Sequence, residues 1–265
     1  MTRLGALSLT VAFLLGSVIP TPAQDTMQGV DLNSPMMTTA EMSRQEVAAA
    51  IEAAAGAPVN LSGKRLSGLD LSGLDLSGAV LRGAYLNKAN LKGARLDKAV
   101  LDQAWALAAN FEGASLQSAS LISSQMRDAN LKGADLSGAR ITADLTNANL
   151  AAARFVGADL SADMKNQSMG LMRAVLRSAK LDGADFSGAN LSRTVLEFAV
   201  LKGARLAGAN LVGAELGGAN LTGADVTGAD FAHADVTSTV LKKLNGLDRA
   251  RNFGKVRNLK RAFLD

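Results

Sequence analysis

From Leu61 to Leu241 a large apolar residue recurs at almost every fifth position, 37 times in all, and only Ala106 among these centres is not Leu, Phe, Ile, Met or Val. Two positions before the centre, Ala fills 29 of the 37 places, so each repeat carries one bulky and one small apolar group. Neither a helix of period 3.6 nor a strand of period 2 keeps a five-residue repeat on one face. A chain that turns a corner every five residues does. The pattern therefore predicts that the centre and the small residue point inward, while the other three positions face water and serve the turns. Gly stands two positions after 18 of the centres, which accounts for most of the 26 glycines and suits a corner. Four such sides make a coil of about 20 residues, and stacked coils pair their backbones at roughly 4.8 Å.

Repeats such as Ala89-Asn90-Leu91-Lys92-Gly93, Ala134-Asp135-Leu136-Ser137-Gly138 and Ala209-Asn210-Leu211-Val212-Gly213 resemble the pentapeptide-repeat family, whose motif is A-[DN]-L-x-x. The resemblance covers residues 59–241. It implies an all-β fold, a right-handed quadrilateral parallel β-helix, or β-solenoid, which the repeat count sets at about nine coils, roughly 40 Å long. The first repeats depart from the motif, with Lys64, Leu69 and Leu74 where Ala is usual, so the first coil splays or meets the segment before it. Between Ile141 and Leu171 the spacing slips, but the span of 30 residues equals six repeats. Residue counting thus predicts an unchanged register, with a small bulge at Lys165–Gly170. Asp70, Asn90, Asn110, Asn130, Asn149, Asn190, Asn210 and Asp230 would then share one column, broken only at Gly170.

The ends differ from the repeat body. Residues 1–23 read as a signal peptide, with Arg3, an apolar run from Leu4 to Ile19 and a cleavage site after Ala23. The mature chain is accordingly expected to be exported, to the periplasm or beyond. Residues 24–58 read as a flexible leader followed by a capping helix, in which Ser43 and Glu46 form a capping box and Gly56 with Pro58 ends the helix. Residues 242–265 carry Lys242, Lys243, Arg249, Arg251, Lys255, Arg257, Lys260 and Arg261 against Asp248 and Asp265. With Val256, Leu259 and Phe263 at i, i+3 and i+7, this segment reads as a basic amphipathic helical cap.

Composition narrows the chemistry. The chain has no Cys and one His, His233, which excludes thiolate nucleophiles, disulfides and sites needing two imidazoles. No phosphate loop, nucleophile elbow or His-based metal motif is present, so neither enzyme activity nor a cofactor is expected. Asp144, Asp163 and Asp185 recur at near-coil spacing, but no calcium-loop pattern surrounds them. The only Tyr and the only Trp, Tyr85 and Trp105, stand 20 residues apart, as do Val80 and Val100 on the adjoining side. These four are the candidates for an apolar interaction patch, with cover by a terminal segment as the alternative.

The leading expectation is a non-enzymatic exported scaffold whose rigid faces contact another protein. Binding of an anionic surface or polyanion through the basic tail is the alternative, and a homodimer through the C-terminal end stays open. The family resemblance also includes topoisomerase-protecting proteins that imitate DNA. Residues 59–241 carry 18 basic and 17 acidic residues, which does not fit an acidic rod, and nucleic acid is not an expected partner.

Overall fold

The computed structural model describes residues 29–164 and 172–265, and Asp31–Asp265 form one compact unit. The signal-peptide segment and Lys165–Gly170 lie outside the described residues. Two helices, α1 (Pro35–Thr38) and α2 (Arg44–Ala53), precede the repeats. From Asn60 onward the chain forms stacked coils joined by parallel bridges, mostly one residue per side, with two short strands, β1 (Ser120–Leu121) and β2 (Arg140–Ile141).

The bridges fall into four columns that begin at Asn60, Arg65, Asp70 and Asp75, one for each side of the coil. On each rung the centre residue donates its N–H to the next coil, as Leu61 does to Val80 O at 2.8 Å, and the residue before the centre donates back, as Val80 does to Val59 O at 2.9 Å. Both inward backbone groups are thereby satisfied beside a dry core. The core is the one read from the repeat: Leu81, Ala84, Leu86 and Ala89 are all fully buried, and the pattern continues along the chain. Corners lie two residues after the centre, where φ is positive, as at Gly63 (65°) and Gly83 (63°). Where Ser124, Thr194 and Thr239 replace Ala, each buried hydroxyl donates to a main-chain carbonyl of an earlier coil, on Leu101, Leu160 and Leu216.

The residue before the centre explains the Asn/Asp preference. Its side-chain oxygen accepts the N–H two residues on, as in Asp70 with Ser72 (3.1 Å), Asn90 with Lys92 (3.2 Å) and Asp225 with Thr227 (3.0 Å). Asn amides also ladder between coils: Asn90 donates to Asp70, Asn110 to Asn90, Asn130 to Asn110 and Asn149 to Asn130, at 2.9–3.1 Å.

This ladder does not continue as residue counting predicts. Asn149 bridges to Lys180, 31 residues on, where regular rungs are 20 apart, and Asn190 instead follows Asp159 in the first column. The Asn ladder resumes there, with Asn210 donating to Asn190 at 3.1 Å. Either side of the undescribed residues, the Asp163 N–H donates to Met172 O at 2.8 Å and the Ala174 N–H to Leu160 O at 3.4 Å. Met164, which fits the apolar template, is 50% exposed. The preserved register is therefore corrected: the repeat re-enters two sides further round. Spacing alone does not fix the side on which the repeat resumes.

At the Asn60 end, α2 lies against the first coil. Ser43 Oγ accepts the Glu46 N–H and the Glu46 carboxylate accepts the Ser43 N–H, so the expected capping box is formed. Val47 is fully buried, and Ala50, Ile51 and Ala54 pack on the core, as do Leu69 and Leu74. Lys64 instead points out to Glu41 at 3.5 Å. Glu41 also pairs with Arg65, and Arg44 donates to Asp70 O and Ser72 O at 2.7 and 2.9 Å. The leader is not wholly free either: α1 forms within it, and Met37 is buried.

The C-terminal helical cap is a second correction. Residues 242–265 form no α-helix but three 3-10 turns, Leu247–Arg249, Phe253–Lys255 and Leu259–Arg261, each entered through a left-handed residue, Gly246, Asn252 or Asn258. They extend the solenoid through bridges Asp230–Arg251, Asp235–Arg257 and Val240–Phe263, six residues apart along the chain. Leu247, Phe253 and Leu259 are the six-residue centres and Ala250, Val256 and Ala262 the small positions. The helical spacing of Val256, Leu259 and Phe263 is a by-product of this longer repeat. Phe253 packs edge-on against Phe231 one coil above, with ring centroids 5.5 Å apart.

Candidate interaction surfaces

Tyr85 and Trp105 are bridged to each other in the second column, between Arg65 and Gln125, and Val80 is bridged to Val100 in the first. The structure thus brings the four sequence-selected residues onto adjoining outer sides of neighbouring coils, all half-buried. Trp105 stays on the outside, and the inward places beside it are filled by Ala106 and then Met126, both buried. The leader reaches this region: Tyr85 Oη donates to Met36 Sδ at 3.1 Å, and Asn87 Nδ2 donates to Met37 O at 3.0 Å. Asn87 also accepts the Leu107 N–H at 3.0 Å, so it ties α1 to two coils. Asn87 is the one Asn directly after a centre, where Ser, Thr, Lys, Asp and apolar residues also occur.

A second outward aromatic went unread in the sequence. Phe198 occupies a corner position that usually holds Gly, with φ of 58°, and is 63% exposed. Its ring overlies Gly218 of the next coil, where an added Cβ would come within 2.6 Å of it. The available signal is that, among the described residues, Phe198 is the only Phe, Tyr or Trp two positions after a centre. Glu197, Glu215 and Asp235 flank it, but each carboxylate is paired with a guanidinium: Arg177 at 2.6 Å, Arg173 at 2.7 Å and Arg257 at 3.9 Å.

The acidic residues do not assemble a metal or acid–base site. Asp144 and Asp185 lie in different columns, the first holding Arg127 at 2.6 Å and the second Arg205 at 3.7 Å. Among the described residues no group of three or more His, Cys, Asp or Glu is placed to hold a metal ion. Carboxylates of the turns are instead held below the usual range by local hydrogen bonds, Asp75 by Ser77 and Asp225 by Thr227.

The basic residues ring the last coil. Arg249 donates to Thr227, Arg251 to Gly228 O, and Arg257 faces Asp235. Lys242, Lys243, Lys255, Lys260 and Arg261 are exposed and have no ion pair among the described residues. Among those residues, too, no helix is long and apolar enough to cross a membrane.

Known proteins with this architecture are repeat proteins. The family model for pentapeptide repeats matches in 8 copies, over residues 65–103, 108–142, 143–162, 171–206 and 199–237. In all, 33 solved chains match. One is HetL, a pentapeptide repeat protein involved in heterocyst differentiation regulation from the cyanobacterium Nostoc, 27% identical, with 77% of this chain and 90% of that one covered and a TM-score of 0.39. Another is a trypsin-treated form of QnrB1, a plasmid-mediated fluoroquinolone resistance protein, 20% identical, with 73% and 90% covered and a TM-score of 0.57. No curated protein matches the chain. The matched family is one of repeats and names no reaction. With the five-residue core, the four bridge columns and the family match in agreement, this chain belongs to the pentapeptide-repeat family.

Proposed function

We propose that the protein is a non-enzymatic, exported scaffold that presents rigid solenoid faces to a protein partner, in the right-handed sense that its family implies. The observation that carries this reading is the outward apolar column of Tyr85 and Trp105 beside Val80 and Val100, held by backbone bridges on every rung. A bridged backbone pays little ordering cost on binding, and Tyr and Trp supply much contact area at low entropy. The partial seat of α1 on Tyr85 leaves Trp105 and the two valines as the open part of the patch. The family contains DNA mimics, but the fourth column weighs against that role here. It alternates in sign, with Arg95 paired to Asp75 at 3.5 Å, Arg154 to Asp135 at 3.7 Å and Arg205 to Asp185 at 3.7 Å. Export rests on the apolar run and Ala23 of the sequence.

Cross-linking the mature protein in extract of its own cell envelope tests the reading. A partner captured by the native protein should be lost from Tyr85→Ala/Trp105→Ala of unchanged thermal midpoint. Capture by both alike removes this face from the function.

A further inference from the structure

The last coil of the described structure keeps apolar surface open to water. One coil above it, Val226, Phe231 and Val236 are fully buried, whereas Leu247, Phe253 and Leu259, which continue the same core, remain half-exposed. Phe263, bridged to Val240 on the third side, and the adjoining Leu264 are 55% and 46% exposed. Around this apolar layer stand the cations of residues 242–265, of which Lys242, Lys255, Lys260 and Arg261 make no ion pair among the described residues.

We infer that this coil is an end-on docking surface for an anionic lipid surface. The apolar layer and its cationic rim together select the occupant. A second copy would bury the apolar layer but would bring Lys242, Lys260 and Arg261 face to face, whereas Asp225, Asp230 and Asp235 of the coil above attract Arg249, Arg251, Lys255 and Arg257. A soluble polyanion would satisfy the rim and leave the apolar layer wet. A bilayer of acidic lipids meets both, placing phosphates at the rim and acyl boundary under Phe253, Phe263 and Leu264. Docking in this way holds Tyr85, eight rungs from Arg257 in the second column, about 38 Å from the membrane. The inference is independent of which protein meets the Tyr85 face.

Co-sedimentation of the protein with phosphatidylglycerol and with phosphatidylcholine vesicles tests it. Binding is expected to the first only, and to weaken steeply as salt rises. Lys242→Gln/Lys255→Gln/Lys260→Gln/Arg261→Gln should lower the partition more than about tenfold. Phe263→Ser/Leu264→Ser should lower it several-fold while leaving the salt dependence in place. Both variants alter exposed positions, and an unchanged circular-dichroism melt keeps the comparison valid. Equal binding to both vesicle types, undiminished binding by the four-Gln variant, or binding to duplex DNA or free phosphate in preference to vesicles overturns the inference. So does a stable dimer in sedimentation velocity that buries Phe253. None of these results bears on Tyr85→Ala/Trp105→Ala capture, so the two readings fail separately.

Discussion

At the Asn60 end the first core layer lies beneath α2, with Val47 fully buried against it, while at the other end the last layer of Leu247, Phe253 and Leu259 is half-exposed. Both ends interrupt a stack that would otherwise continue, since a coil is stabilised only by the coil beside it. The first is closed by a different kind of element, an amphipathic helix pinned through Glu41 and Arg44. The second is a modified coil, one residue longer per side and rich in Lys and Arg. The difference teaches that apolar burial and charge do separate jobs at solenoid ends. A helix removes the apolar layer from water; a ring of like charges leaves it there but deters a second copy.

The largest effect that would sharpen this contrast comes from removing the same ring in neighbouring layers. Phe231→Ala, in the sealed coil, should cost about 3–5 kcal/mol in denaturant unfolding, and Phe253→Ala, in the open coil, clearly less. Equal losses would mean that the end layer is as well packed as the interior. Next, Ser43→Ala removes the cap of α2 and should cost about 1 kcal/mol. The loss should appear first as faster amide exchange in Arg44–Ala53, with the terminal turns unchanged. The smallest effect is acid sensitivity. Asp70 is held below its ordinary value by the Ser72 hydrogen bonds, and Asp230 by the Asn252 side chain and the Ala232 N–H. Because these folded-state values are depressed, their contribution is complete above the unfolded Asp value of about 3.9 and is lost as pH falls below it. The melting midpoint should therefore be flat from neutral pH down to about 5 and decline below about 4. A midpoint that keeps rising into acid contradicts this.

Five-residue spacing determined which residues face inward and that Tyr85 and Trp105 face outward, because a residue's place within the repeat sets its side of the chain, while the four-sided section came from the family resemblance. The Ser43–Glu46 box likewise defined α2, since both its partners lie within one turn. Tertiary structure alone decided three things. It moved the Asn ladder from the Asp70 column to the Asn60 column, because Met164 matches the template yet is exposed. It turned the basic tail into three 3-10 turns, because bridges to Asp230, Asp235 and Val240 outweigh a helical spacing that the six-residue repeat imitates. It seated α1 on Tyr85 and Asn87, partners 49 and 50 residues away along the chain. Local periodicity states which side of the chain is apolar. Which rung a segment meets, and what covers it, depends on residues far away in sequence.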